Sequence, residues 1–68
     1  MFLRIKNRIF NLDQIEEIEL GAGEITLMFQ PSGKKAKYGP DSENILTEEE
    51  LEMLRNVLVN MRDCYVLQ

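Results

Sequence analysis

The sequence predicts an α+β fold, a small antiparallel β-meander of about four strands followed by one C-terminal amphipathic helix packed on one face. Three observations carry this. Leu46-Thr47-Glu48-Glu49-Glu50-Leu51 has the form of a capping box. In that motif Thr47 accepts from the Glu50 N–H, the Glu50 carboxylate reaches back to the Thr47 N–H, and Leu46 and Leu51 close over the pair. From Glu24 to Gln30 apolar and polar residues alternate at the period of a strand. Gly21-Ala22-Gly23 and Pro31-Ser32-Gly33 bracket that strand with turn residues. A run of strands followed by a helix places the helix on one side of the sheet.

Residues 2–6 read as a first strand, with Phe2, Arg4 and Lys6 on one face and Leu3 and Ile5 on the other. Asn7-Arg8 then serves as a tight connection, and Ile9 to Leu12 is a short apolar segment that suits a second strand or a bend. Residues 12–20 fit two patterns. Leu12, Ile15 and Ile18 have helical spacing, and Asn11 can cap such a helix. Ile18 and Leu20 also alternate with Glu17 and Glu19 as in a strand. The strand is preferred, because isoleucine suits a pleated surface and the glycines at 21 and 23 then form a hairpin turn. In the next strand Ile25, Leu27 and Phe29 share one face and Thr26, Met28 and Gln30 the other. Lys34 to Tyr38 returns as a polar strand whose three lysines suit a sheet edge. Residues 39–46 form a loop. The helix runs from Thr47 to about residue 62. Its apolar residues Leu51, Leu54, Val57, Leu58 and Met61 occupy an arc of about 120°. Glu48, Glu49 and Glu50 suit the positive end of the helix dipole. An apolar tail occupies 63–68.

The chain of 68 residues makes one domain, residues 1–68, strand-rich over 1–40. A chain this short buries only about 60% of its unfolded surface and tends to need a disulfide, a metal or a partner. One cysteine, Cys64, cannot pair within the chain, and with no histidine the usual zinc constellations are impossible. The single cysteine and the lack of an apolar leader at Arg4, Lys6 and Arg8 make the cytoplasm the expected location. No apolar run approaches the ~20 residues of a membrane span.

The net charge of −4 is unevenly distributed. Residues 1–40 carry six Lys/Arg and five Asp/Glu, and residues 41–68 carry two and seven. The acidic total weighs against nucleic acid as a partner. A local basic surface remains open if Arg4, Lys6 and Arg8 come near Lys34, Lys35 and Lys37, with Tyr38 and Phe10 available to stack on bases. The plainer reading of Lys34, Lys35 and Lys37 is a solvated strand edge.

Other constellations resolve to structural roles. Asp41, Glu43 and Glu52 fall on a calcium-loop template, but Ile45 and Leu46 stand where a ligand and a glycine belong. Gly33-Lys34-Lys35 lacks the preceding glycine and the following hydroxyl of a phosphate loop. Glu17 and Glu19 share a strand face about 7 Å apart, with nothing to predict a perturbing pocket. Cys64 has no histidine to activate it and lies beside Asp63. No catalytic, cofactor-binding or metal residue is therefore assigned, no cofactor is expected, and the chain is not read as an enzyme.

The run Asn11-Leu12-Asp13-Gln14-Ile15-Glu16-Glu17-Ile18, the hairpin to Phe29 and the final Leu-rich helix resemble, in pattern alone, LytTR-type DNA-binding domains. The same pattern resembles half of a pleckstrin-homology-type barrel. The likeness spans about fifty residues and includes no signature motif. It implies no functional residue here.

Apolar residues without a place in this plan point to an interaction surface. They are Met28, Met53, Val59, Tyr65, Val66 and Leu67, with Phe2 as a further member. The tail residues either extend that surface or complete the core. The expected function is a small interaction module or accessory subunit, homo-oligomeric or bound to another protein. The alternative is a regulatory module holding nucleic acid or another polyanion through Lys34, Lys35 and Lys37.

Overall fold

The computed structural model describes residues 1–61, so Tyr65, Val66, Leu67 and the rest of the tail lie outside the described residues. The elements are β1 (Phe2–Ile5), β2 (Arg8–Asn11), a 3-10 turn (Leu12–Gln14), β3 (Ile15–Leu20), β4 (Ile25–Phe29), β5 (Lys35–Gly39), β6 (Asn44–Ile45) and α1 (Glu48–Met61). The fold is α+β, with a four-strand, mostly antiparallel sheet and one C-terminal helix.

The topology departs from a simple meander in two ways. β1 and β2 form their own two-stranded sheet, while the main sheet runs β3-β4-β5-β6. The last of these pairs parallel to β5 through Tyr38↔Asn44 and Gly39↔Ile45. A strand of two residues has no alternation to read. It exists because the Leu46 N–H donates to the Gly39 carbonyl at 3.1 Å, and Asn44 Nδ2 donates to the Lys37 carbonyl at 2.9 Å.

The turn between β1 and β2 is Lys6-Asn7, one residue earlier than the sequence suggests, with Lys6 at φ 53. Both readings of residues 12–20 are partly realised. Asn11 caps a single 3-10 turn by accepting from the Asp13 N–H at 3.0 Å, and the chain then extends as β3. A bulge at Ile15/Glu17 absorbs the change of direction.

The alternation in β4 sets the core. Ile25 and Leu27 are fully buried, facing Tyr38 and Ala36 across the pair with β5. Leu51, Leu54 and Leu58 of α1 are buried in the same cluster, as are Leu12, Ile15 and Leu46. The helix starts as the capping box requires. The Thr47 N–H donates to Glu50 Oε1 at 2.9 Å, and the Glu50 N–H donates to Thr47 Oγ1 at 3.1 Å. Arg55 ties α1 to the β3–β4 loop through its bond to the Gly21 carbonyl, and it pairs with Glu52 at 2.6 Å. At Gly39 a side chain would collide with the Gly23 carbonyl oxygen, so the end of β5 can approach that loop only as glycine. The far face of the main sheet carries Glu17 and Glu19 on β3, Thr26 and Met28 on β4, and Lys35 and Lys37 on β5.

Candidate functional site

Among the described residues a groove of about 260 Å³ lies between β1 and α1. One wall is Leu3, Arg4, Ile5 and Lys6. Side chains of a strand alternate between faces, so the consecutive strand residues Leu3, Arg4 and Ile5 line one wall together where the strand presents its edge, with Lys6 of the turn beyond them. β1 has β2 on one side, and the other edge opens into the groove. The opposite wall is Glu50, Met53, Leu54 and Val57, an i, i+3, i+4, i+7 stripe along one helix face. The lining is mainly apolar, with Met53 exposed at 67%.

One end of the groove is closed by a polar clasp. Lys6 Nζ lies 3.6 Å from Glu50 Oε1 and donates to the Ile45 carbonyl at 3.2 Å. The Glu50 carboxyl is held below its ordinary value of 4.5, chiefly by the Thr47 backbone N–H, with smaller help from the Thr47 hydroxyl and Lys6. Arg4 Nε donates to the Lys6 carbonyl in the turn that follows β1, at 2.8 Å. On the hairpin, Phe2 and Ile9 share the face opposite Leu3 and Ile5 and are exposed at 67% and 69%.

A second hollow, of about 460 Å³, lies where β2 meets the β4–β5 turn. Arg8, Lys34 and Lys35 rim it, and Phe10 and Phe29 line it. These two rings stack with centroids 5.4 Å apart. The turn is set by Gly33 at φ 72, whose N–H donates to the Phe29 carbonyl at 2.8 Å.

The structure sorts the residues expected to act. Met53 lines the groove, whereas Val59 is exposed about a third of a turn around α1, off the groove stripe. Met28 is half-buried on the far face of the sheet, remote from both in register. Of the residues expected to form a basic surface, Lys34 and Lys35 lie with Arg8 and Phe10 around the second hollow. Lys37 does not line that hollow, since it lies two residues further along β5, across from Thr26. Lys6 is diverted to Glu50, and Arg4 to the Lys6 carbonyl. Tyr38 cannot stack on a base. It is 3% exposed and packs edge-on against Phe10, with centroids 6.2 Å apart. Burial pushes its hydroxyl above the ordinary 10.0, against the pull of the Arg8 charge. Sequence reasoning missed the open edge of β1. The signal was present in Phe2 and Ile9, apolar residues on the side of a hairpin that faces away from Leu3 and Ile5.

Among the described residues no helix is long and apolar enough to cross a membrane. Comparison with protein-family models, curated proteins and solved structures finds no match, so the pattern resemblance to LytTR-type and pleckstrin-homology-type domains gains no support.

Proposed function

We propose that this chain is a small cytoplasmic protein-interaction module, an accessory subunit that works as a homo-oligomer and acts by binding rather than by catalysis. The observation that carries this reading is the groove between β1 and α1, an apolar cleft walled by an open strand edge and a helix stripe. Met53 stands exposed on its helix wall, and Phe2 and Ile9 are exposed on the hairpin. Clustered exposed apolar surface marks an interaction site, and a domain of this size gains stability from a partner. The single cysteine is in keeping with a reducing compartment.

Light scattering across a wide dilution series tests the reading. A dimer or larger assembly that dissociates on dilution is the expected result, and a monomer throughout the series refutes it.

A second reading is favoured by the convergence of Arg8, Lys34 and Lys35 over the Phe10–Phe29 stack. That hollow suits a polyanion bearing a flat ring, such as a short single-stranded oligonucleotide. Binding there would weaken steeply with salt. It would be lost on changing Lys34 and Lys35 together to Glu, and an unchanged affinity in that variant removes the reading.

A further inference from the structure

We propose that the occupant of the groove is a second copy of this chain, whose own β1 pairs antiparallel with β1 about a two-fold axis at Leu3. The two hairpins then form one continuous sheet in the order β2-β1-β1-β2. This rests on the homo-oligomer reading and adds its geometry.

The phase of the hydrogen bonds in β1 determines the register. In an antiparallel pair, residues alternate between exchanging both backbone bonds with the partner and turning both groups away. The two-residue turn Lys6-Asn7 makes Ile5↔Arg8 the closing pair. The Leu12 N–H donating to the Met1 carbonyl at 2.9 Å fixes the same phase at the other end. Met1, Leu3 and Ile5 therefore bond to β2. Phe2 and Arg4 turn their N–H and C=O groups to the edge of β1 away from β2, where no other described residue pairs with them.

A symmetric partner can meet these outward groups in three registers. Phe2 against Phe2 uses one residue of each strand, and Arg4 against Arg4 sets like charges opposite each other. Phe2 against Arg4 of the second copy uses both residues on both strands and closes four backbone bonds. It also places each Arg4 guanidinium beside a Phe2 ring, an attractive pairing. Ile9, opposite Arg4 in its own hairpin, then shares a row with the second copy's Phe2. On the inner face, Leu3 of the second copy comes over Met53 and Val57.

The outer edge of the main sheet at β3 behaves differently. β3 is the outer strand of the main sheet, but self-pairing about Ile18 would set Glu17 against Glu19. Charged edges of that kind oppose pairing. Charge thus disfavours self-pairing at β3, whereas β1 in the Phe2–Arg4 register sets no like charges opposite each other, and the isologous contact there closes as a dimer.

The test uses the whole chain. In Arg4→Pro the ring removes an N–H that β2 does not use, so the hairpin survives, while two of the four intermolecular bonds are lost. The dimer dissociation constant should rise at least tenfold over that of Arg4→Ala, which keeps the N–H, an estimate of roughly one hydrogen bond per copy. The far-UV circular dichroism should be unchanged. Independently, Leu3→Cys in a Cys64→Ser background should form an intermolecular disulfide on mild oxidation. Facing non-hydrogen-bonded residues have Cα atoms about 4.5 Å apart, within disulfide range. If Arg4→Pro dimerises as well as Arg4→Ala, or a dimeric Leu3→Cys does not cross-link, the strand pairing is overturned while the homo-oligomer stands. A monomeric wild-type chain overturns both. Should Arg4→Pro lose its dichroism, the cross-link decides.

Discussion

Replacing Tyr38 by Phe should make this domain more stable. Tyr38 is 3% exposed, and its hydroxyl has no hydrogen-bond partner among the described residues. Its ring faces Ile25 across the β4–β5 pair and meets Phe10 edge-on at 6.2 Å. Phe keeps both ring contacts and removes only the oxygen. A buried polar group without a partner costs about 1–3 kcal/mol of desolvation, and the small void left by one oxygen offsets part of that gain. A net stabilisation of about 1 kcal/mol follows, which for a chain of this size raises Tm by roughly 4–8 °C. The assay is thermal unfolding by circular dichroism at neutral pH, at one fixed protein concentration because an oligomer's Tm depends on it. The alkaline side gives a second readout. Burial raises the folded hydroxyl above 10.0, so its contribution is intact below 10.0 and is lost as pH rises through the folded value. The Phe variant should not lose that part. A fall in stability of about 1 kcal/mol or more in the Phe variant would refute the reasoning, because it would mean the hydroxyl is satisfied.

Two further predictions concern the helix. Leu58 is buried at 3% in the core cluster and away from the groove; Leu58→Ala should cost about 2–5 kcal/mol in urea unfolding, and a cost below about 1 kcal/mol would show that α1 is not packed as described. Glu50 is held below 4.5 by Thr47 and Lys6, so its contribution is present above 4.5 and is lost as pH falls through the lower folded value. Glu50→Gln should therefore flatten the acid limb of the stability–pH curve, and an unchanged limb would remove the clasp from the account.

Much of the helical third was legible in the sequence because its determinants are local. Thr47 and Glu50 bond to each other across three residues, and Leu51, Leu54 and Leu58 declare their face by spacing alone. The same holds for β4, where Ile25 and Leu27 alternate with Thr26 and Met28. The candidate site was less legible. Met53 was identifiable as an apolar residue flanking the helix stripe, but nothing in residues 2–6 says that their edge faces that helix. The basic hollow was half legible. Lys34 and Lys35 stood out, but which of Arg4, Lys6 and Arg8 would join them depended on contacts across the fold.

The sequence by itself determined the α+β class, the start of the helix, the strand Ile25–Phe29 and the turns on either side of it. These follow from hydrogen bonds and periodicities that span a few residues, which the chain encodes wherever it is placed. Only the tertiary structure decided that β1 and β2 stand apart as their own sheet, that Asn44–Ile45 adds a parallel strand to β5, and that Lys6 crosses to Glu50. Those outcomes depend on which distant surfaces meet. Lys6 and Ile45 are 39 residues apart, and no local pattern records whether an unpaired edge will lie against a helix or against solvent.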